Sequence, residues 1–282
     1  MSYKNFIPEY WSEKIETELE REYRFVQDCN REFEGKASEL GDVVHCIGIA
    51  RPSIKTISRK DALKDIGEAE EIETTDSAVT LDRMSVMHYM IGDIDKAQSL
   101  NKGIMMNSLS KETTEGLANE EDKYVAEFAA HESVIKTSKE PILVTTDNVL
   151  DLIDDAVTRL YENDVSDSTD IVLNVSPKFH QIFRKAYREA DTNNSDIMKH
   201  GRVSMYGNVQ IKMSNNVYRD KTTGAELLPM RTKRAFAFVH AMTHTEAYRP
   251  QRSFADAIKG FILYGGKVVR PKEAISLNVR FK

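Results

Sequence analysis

The stretch from Asp95 to about Ile135 constrains the fold most, because its apolar residues recur with helical spacing over an unusual length. One face carries Ala97, Leu100, Ile104, Leu109, Leu117, Tyr124 and Phe128. An unbroken helix here would be about 50–60 Å long, which exceeds what a compact domain normally needs. Gly103 and Gly116 could divide it into shorter helices. The chain has only 13 Gly and 7 Pro, so we expect long regular elements to outnumber tight loops.

Composition excludes several classes of protein. The 282 residues suffice for one or two domains with a buried core. With 39 basic and 45 acidic residues the net charge is −6, which argues against a general nucleic-acid-coating role. No apolar run approaches the ~20 residues of a membrane span, and residues 1–10 lack a signal-peptide profile. The two cysteines, Cys29 and Cys46, are too few for a disulfide scaffold, so we expect a soluble chain in a reducing cytoplasm.

The N-terminal segment has the pattern of an amphipathic helix from Pro8 to about Glu34, followed by Gly35 as a stop signal. Its apolar stripe consists of Trp11, Ile15, Leu19, Val26 and Phe33. The pattern does not decide whether this stripe packs on its own chain or on a neighbouring one.

Two β-rich runs, from Asp42 to Ala50 and from Val79 to Ile91, flank a long polar stretch between Ser58 and Asp76. The second half of this stretch is acidic and carries Glu68, Glu70, Glu71, Glu73 and Asp76. Such an arrangement predicts an extended hairpin arm, since long connections without a core of their own are usually functional or disordered. A solvated run of charges with no further role is the alternative.

The remaining chain alternates between helical and strand patterns. Residues 144–232 predict a compact βα domain, and residues 233–282 predict a strand, a helix and a final strand pair. The expected elements are a helix from Thr146 or Asp147, a strand over Asp170–Val175, a helix from Pro177, a strand pair in Val203–Met213 around Gly207, a strand over Ala235–Tyr248, a helix over Ser253–Leu263, and strands over Lys267–Arg270 and Ala274–Phe281.

The most metal-like cluster consists of His240, His244 and Glu246. On a helix the two histidines would face one way, but the zinc-protease signature requires Glu directly after the first His, where this chain has Ala241. The aromatic surroundings favour a strand, whose alternation would still place all three residues on one face. A polar sheet face is therefore the preferred interpretation, with a three-ligand metal site as the alternative.

No other motif predicts a catalytic or cofactor site. Asp191, Asn193 and Ser195 resemble the opening of a calcium loop, but its later Gly and Glu positions are not matched. Residues 264–267 lack the spacing of a phosphate-binding loop, and the two cysteines are expected to be buried structural thiols. We therefore expect no catalytic residue, no metal and no cofactor.

The order of these elements resembles that of the major capsid proteins of tailed bacteriophages, whose fold is named after phage Hong Kong 97. The resemblance covers nearly the whole chain, although each motif alone is a short run of common residues. The similar stretches are Ile7-Pro8-Glu9-Tyr10-Trp11-Ser12, Phe33-Glu34-Gly35, Gly41-Asp42-Val43-Val44-His45, Asp93-Ile94-Asp95-Lys96-Ala97-Gln98, Tyr206-Gly207-Asn208-Val209, Ser214-Asn215-Asn216-Val217, Phe254-Ala255-Asp256-Ala257-Ile258-Lys259-Gly260 and Tyr264-Gly265-Gly266-Lys267-Val268-Val269-Arg270-Pro271.

The resemblance implies an α+β, Hong Kong 97-type capsid fold. Its parts would be an N-terminal arm (1–35), an extended β-hairpin arm (36–93), a peripheral domain with a long spine helix (94–143 and 233–282) and an axial domain (144–232). It further implies a non-enzymatic subunit that assembles with itself, as hexamers and pentamers, into an icosahedral virion head around DNA that it does not read by sequence. The resemblance implies portal, scaffolding or decoration proteins as partners and assembly in the host cytoplasm. It implies neither a membrane nor a cofactor.

Candidate contacts between subunits follow from charge. The acidic run Glu68, Glu70, Glu71 and Glu73 is expected to meet basic residues of a neighbouring copy, and Trp11 is expected to make contacts from the N-terminal arm. The basic candidates are Arg231, Lys233 and Arg234. Two alternatives to a phage head remain at this point: an encapsulin-like nanocompartment shell, and a metal-dependent hydrolase that uses His240, His244 and Glu246.

Overall fold

The computed structural model describes residues 19, 22–32, 43–49, 74–93, 102–132, 134–165, 170–189 and 205–281. Within these residues the helices are α1 (Lys102–His131), α2 (Val149–Glu162) and α3 (Pro177–Glu189). The strands are β1 (Val43–Ile49), β2 (Thr74–Thr80), β3 (Arg83–Gly92), β4 (Ile135–Lys136), β5 (Ile142–Leu143), β6 (Ile171–Val175), β7 (Met205–Tyr206), β8 (Val209–Met213), β9 (Tyr218–Arg219), β10 (Glu226–Thr232), β11 (Phe236–Tyr248), β12 (Ala255–Val268) and β13 (Ala274–Arg280). This mixture of helices and sheets confirms the predicted α+β class.

The larger sheet contains eight of the described strands. Their order is β4-β13-β10-β6-β8-β7, with β5 beside β13 and β9 beside β10. The predicted helices from Thr146 or Asp147 and from Pro177 are confirmed as α2 and α3, whose apolar faces are buried in the core with this sheet. Ile153, Leu160, Phe179 and Phe183 are completely inaccessible to solvent. Gly207, with a φ of 56°, turns the chain between β7 and β8, which confirms the predicted strand pair.

The smaller sheet consists of β11, β12 and β3, all antiparallel, with β12 in the centre. Its inner face packs on α1 through aromatic contacts. The ring centres of Tyr124 and Tyr264 are 5.3 Å apart, and those of Phe128 and Phe236 are also 5.3 Å apart. A β-bulge between Ala241 and Thr243 shifts the register of β11 against β12. One inserted residue reverses the side of the sheet on which the later residues of β11 lie.

Helix α1 confirms the long helix that the sequence predicts. It runs for 30 residues without interruption, about 45 Å, and neither Gly103 nor Gly116 breaks it. Leu117 and Phe128 of the predicted stripe are buried and Tyr124 is half-buried, whereas Ala97 and Leu100 lie outside the described residues. No helix within the described ranges is both long and apolar enough to cross a bilayer.

Strands β1 and β2 form the predicted hairpin. Seven residue pairs join them, from Val43 opposite Thr80 to Ile49 opposite Thr74. The second predicted strand, Val79–Ile91, is in fact divided, because the chain turns at Leu81 and Asp82 and continues as β3 in the smaller sheet. The acidic residues from Glu68 to Glu73 lie outside the described residues.

The N-terminal helix does not extend to Glu34. Val26–Asp28 is a 3₁₀ turn, and Asn30 pairs with β11 through backbone hydrogen bonds to Phe236 (2.8 Å) and Phe238 (3.0 Å). Of the residues in the predicted apolar stripe, Leu19 and Val26 are buried. Trp11, Ile15 and Phe33 lie outside the described residues. Contacts with the body of the chain therefore override the local helical pattern.

The predicted helix over Ser253–Leu263 is wrong, because this stretch belongs to strand β12. Ten consecutive residues of β12 pair with β3, and β11 pairs with its other side. Gly265 and Gly266, which separate the predicted helix from the predicted strand over Lys267–Arg270, also lie inside β12. Pairing on both sides outweighs the weak helical preference of the local residues, as tertiary context commonly does.

The last predicted strand pair is also wrong. Strand β13 does not pair with the end of β12 but lies between β10 and β4 in the larger sheet. The predicted division places β13 in the peripheral domain, with residues 233–282, yet its hydrogen-bonded neighbour β10 belongs to the segment predicted as the axial domain. The domain division as a whole stays a prediction.

Candidate functional site

The residues of the alternative metal site do not come together. His240 lies opposite Tyr264 on the inner face of the smaller sheet, with its Nδ1 3.5 Å from Oε2 of Glu121. His244 and Glu246 follow the bulge and lie on the outer face, where a 2.8 Å ion pair with Lys259 lowers the pKa of Glu246 below its usual value. The expectation that alternation aligns these residues is wrong, because the bulge adds one residue between the histidines.

The described parts of the chain contain no group of three His, Cys, Asp or Glu side chains placed to hold a metal ion. Cys29 is buried, as predicted, and burial raises the pKa of its thiol to about 11. At neutral pH this thiol is protonated and a poor nucleophile. The calcium-like residues Asp191, Asn193 and Ser195, and the side chain of Cys46, lie outside what the structure describes.

Arg231 is not a surface residue, which corrects the prediction that it contacts a neighbouring subunit. Its side chain is completely buried. Nη2 donates a 2.9 Å hydrogen bond to the carbonyl oxygen of Phe25, and the guanidinium lies 4.7 Å from the ring centre of Phe236. Arg231 therefore holds the N-terminal segment of its own chain.

Lys233 and Arg234 do lie at the surface, in the turn between β10 and β11. They border a cavity of about 480 Å³, the basic pocket, whose lining residues are Cys29, Asn30, Arg31, Glu32, Lys233 and Arg234. Nη2 of Arg234 is 3.6 Å from Oε1 of Glu273, which also binds Arg270 at 2.9 Å. Burial raises the pKa of Glu273, but hydrogen bonds from Thr232 and Arg270 lower it overall, so this carboxylate is ionised. Among the described residues Lys233 has no ion-pair partner, which leaves the pocket with excess positive charge.

Trp11, Glu68, Glu70, Glu71 and Glu73 lie outside the described residues. Their proposed contacts therefore stay predictions.

The root of the β1–β2 hairpin packs against the outer face of the smaller sheet. Its buried residues Val44, Val79 and Leu81 form a separate apolar cluster with Ala237, Val239, Ala241 and Leu263. At Gly265 the backbones of β12 and β2 nearly touch: a Cβ there would overlap the carbonyl oxygen of Thr80 and lie 3.1 Å from Cα of Leu81. A glycine inside a strand often marks such a close approach, so this is a signal that sequence reasoning missed.

Beyond the hairpin root, the outer face of the smaller sheet is exposed and apolar. Met84, Val86 and Met90 of β3 are 51%, 62% and 66% exposed; we call these three side chains the outer strip. Between them His88 hydrogen-bonds through Nε2 to the hydroxyl of Tyr248 at 2.7 Å. The opposite face of β3 carries the buried Met87 and Ile91, as strand alternation requires.

Two buried carboxylates of α1 anchor the N-terminal segment. Asp122 accepts hydrogen bonds from the backbone N–H groups of Arg24 (3.0 Å), Phe25 (2.9 Å) and Val26 (3.1 Å). The hydroxyl of Tyr23 donates to Oε2 of Glu121 at 2.7 Å. Burial raises the pKa of Asp122, although the three N–H donors oppose this shift.

The sequence offers one signal for this anchor. Ala118 and Val125 are buried on α1, and the two carboxylates fall between them at helical spacing, on the core-facing side. A run of charged residues normally indicates a solvated face, so periodicity alone does not identify Glu121 and Asp122.

Comparison with known proteins gives matches among solved structures. No protein-family model and no curated protein sequence matches the chain. The chain is similar to a structure of Mycobacterium phage Che8, with 26% identity, a TM-score of 0.71 and 90% of each chain covered. It is also similar to the capsid of Cyanophage P-SCSP1u, with 17% identity, a TM-score of 0.66, and 87% of this chain and 85% of that chain covered. A virus-like particle from Pyrococcus furiosus matches with 12% identity, a TM-score of 0.59, and 95% and 98% coverage. These similarities extend over the whole arrangement and not over one part of it.

Proposed function

Because the chain has the Hong Kong 97-type capsid fold, we propose that it is the major capsid protein of a tailed bacteriophage. In this role it is a structural subunit, not an enzyme, and assembles as hexamers and pentamers into an icosahedral head that encloses DNA. The observation that carries the proposal is the match to the Che8 structure over 90% of both chains. A nanocompartment shell is a weaker second candidate, since the match to the virus-like particle has 12% identity against 26% for Che8.

The shape of the subunit supports an assembly function. The β1–β2 hairpin is buried at its root, at Val44 and Val79, and extends five further residues to Ile49, about 17 Å. A two-stranded hairpin is marginally stable alone in water, so contact with a neighbouring copy would stabilise its outer part. This is what an arm that links subunits requires.

The net charge of −6 suits a container for DNA. A strongly basic inner wall would bind the phosphate backbone tightly and resist movement of the genome during packaging and release. In this setting the chain would meet portal, scaffolding or decoration proteins, and it would assemble in the host cytoplasm before it becomes part of the virion.

Electron microscopy of the purified chain tests the proposal. We expect closed shells of uniform diameter, because many modest interfaces repeat under symmetry. A monodisperse monomer under all assembly conditions would contradict both shell functions. Particles from an expressing host that protect DNA together with a portal would favour the phage head, whereas particles that hold an enzyme would favour the nanocompartment.

We further propose that the acidic run of the hairpin arm docks at the basic pocket of a neighbouring copy. Two features of the pocket support this: Lys233 lacks an ion pair among the described residues, and Arg234 is only loosely paired, with its Nη2 3.6 Å from Glu273. The described hairpin ends at Ile49 and Thr74, at the end opposite its root. Exposed ion pairs contribute only ~0–1 kcal/mol each, but a shell repeats them at every subunit.

Charge exchange tests this docking. Glu70→Lys with Glu71→Lys should weaken assembly about 5-fold in association constant and reduce its salt dependence, as expected for a loss of ~1 kcal/mol. Lys233→Glu with Arg234→Glu should do the same, and the four changes together should restore assembly. Light scattering against protein and salt concentration measures both effects. Lys221→Glu, in an exposed turn, is the matched control and should leave assembly unchanged; no rescue in the fourfold variant would exclude the pairing.

A further inference from the structure

The exposed face of β3 has no role in the hairpin or in the basic pocket. We propose that the outer strip, Met84, Val86 and Met90, together with the edge of β3 that does not pair with β12, is a contact between copies of this chain. The identity of the partner, a neighbouring subunit, rests on the proposed shell function. The existence of the exposed surface does not depend on that function.

The exposure of the outer strip is unusual. Its three side chains lie on one face of a single strand and are each more than half exposed. On the neighbouring strand β12, the half-buried Phe261 lies opposite Val86, and Leu263 lies opposite Met84. The hairpin root covers Leu263. The outer strip therefore continues an apolar surface that the same chain covers only in part. Exposed apolar side chains that are grouped on one face mark an interaction site more often than single exposed residues do.

The edge of β3 lacks the usual protection against pairing. Soluble proteins block exposed edges with lysine, proline, bulges or very short strands. Strand β3 is ten residues long, pairs with β12 without a bulge, and contains neither lysine nor proline. Its one full charge, Arg83, lies over the ring of Tyr124 at 5.5 Å, on the inner side. Among the described residues β3 is the last strand of this sheet, and no strand pairs with its other edge.

The charges around the outer strip are neutralised within the chain. Lys259 pairs with Glu246 at 2.8 Å, and Arg249 pairs with Asp93. A surface with no excess charge does not repel an identical surface, and it offers no electrostatic attraction to a charged partner. This favours a second copy over a nucleic acid or a strongly charged protein.

The size of the strip favours the same partner. A large aromatic side chain buries ~150–250 Å². Even if each of the three side chains were that large, their combined exposed area would be well below the ~800 Å² per partner of an interface that is stable alone. A contact this small holds only when many copies repeat it under symmetry. The occupant is therefore a neighbouring subunit of the same shell.

Cysteine labelling tests the contact. In full-length Met90→Cys, the introduced thiol should react about 10-fold more slowly in assembled particles than in dissociated subunits, since a contact excludes solvent from its centre. Lys221→Cys, in the exposed turn after β9, is the matched site and should react equally in both states. Wild-type protein gives the background from Cys29 and Cys46.

The outcomes separate this inference from the proposed function. Closed shells in which the thiol of Met90→Cys is unprotected would overturn the contact and leave the capsid function intact. Smaller oligomers in which that thiol is protected would support the contact and overturn the shell. A monomer in which it stays reactive would overturn both.

A charged substitution in the outer strip gives a second measurement. Val86→Asp should reduce assembly at least about 10-fold without loss of folded protein by circular dichroism, because an unpaired carboxylate is costly to bury in an apolar contact. Gln210→Asp, at an exposed strand position of the larger sheet, is the control and should leave assembly unchanged. Undiminished assembly of Val86→Asp would overturn the contact.

Discussion

Replacement of Gly265 by alanine should lower the free energy of unfolding by about 3 kcal/mol, at the upper end of the cost of overpacking. The new methyl group would overlap the carbonyl oxygen of Thr80 and crowd Cα of Leu81. Both obstacles are backbone atoms and cannot move aside as a flexible side chain can. Relief requires the root of the hairpin to separate from β12, which exposes the cluster around Val44 and Val79. Urea unfolding at matched protein concentration measures the loss.

Gly116→Ala is the matched control, because a Cβ there would meet no atom within 4 Å. In the exposed part of a helix, alanine in place of glycine should stabilise the protein by ~0.5–1 kcal/mol. The two substitutions add the same atom and should act in opposite directions. Equal stability of the Gly265 variant and the wild type would mean that the two backbones do not approach as closely as described. Hydrogen exchange in β1 and β2 should rise in the Gly265 variant only.

Replacement of Asp122 by alanine should cost about 4 kcal/mol and release the N-terminal segment from α1, because each buried donor left without an acceptor costs ~1–3 kcal/mol. The carboxylate accepts three backbone N–H groups, and those of Phe25 and Val26 belong to fully buried residues. Urea unfolding measures the loss, and hydrogen exchange over residues 23–28 should become much faster while the core of the larger sheet stays protected.

Asp122→Asn separates the hydrogen bonds from the charge. The amide keeps one acceptor oxygen, so it should cost less than alanine. Burial raises the pKa of Asp122 above 3.8, which means that the folded protein binds a proton more tightly than the unfolded chain. This contribution to stability is present at low pH and is lost as the pH rises through the raised pKa. Asparagine does not titrate in this range. The difference in unfolding free energy between the wild type and Asp122→Asn should therefore decrease as the pH rises from 3.8 through the raised pKa of Asp122. A difference that increases with pH would contradict burial as the dominant cause of the shift.

Much of the fold could be predicted because local periodicity and packing agree there. The predicted stripe of α1 contributes Leu117 and Phe128 to the core, and the helices predicted from Thr146 or Asp147 and from Pro177 are α2 and α3. The predicted bounds of β1, β6 and β11 lie within about two residues of the observed ones, the usual accuracy of such boundaries. The order of these elements is sufficient for the resemblance to Hong Kong 97-type capsid proteins, which the structural similarities support.

Strand β12 could not be predicted because its state depends on distant partners. Ala255, Ile258 and Ile262 are compatible with a helical stripe, and only pairing with β3 and β11 on its two sides makes the chain extended. The prediction for the N-terminal segment fails in the same way. Its stripe is helical, but Asp122 and Arg231 bind backbone groups between Arg24 and Val26 that a continuous helix would have used internally.

The candidate site was less predictable than the fold. The charge of Arg231 indicates a surface contact, yet Phe25 and Phe236 enclose it. The spacing of His240 and His244 indicates a shared face, but one bulge residue separates them. The outer strip could not be predicted from the sequence. Strand alternation assigns the residues of β3 to two faces, but it does not show which face the rest of the chain leaves exposed.

The close approach at Gly265 also determines how the subunit can change shape. The close approach and the buried apolar cluster around Val44 and Val79 hold the root of the hairpin against the smaller sheet, so the root is a fixed attachment and not a hinge. Any swing of the arm must therefore bend the hairpin at the five residue pairs beyond Val44, or rotate the whole smaller sheet together with α1. In the second case a force applied at the far end of the arm acts as a torque on α1, and a local rearrangement becomes a rotation of the body of the subunit.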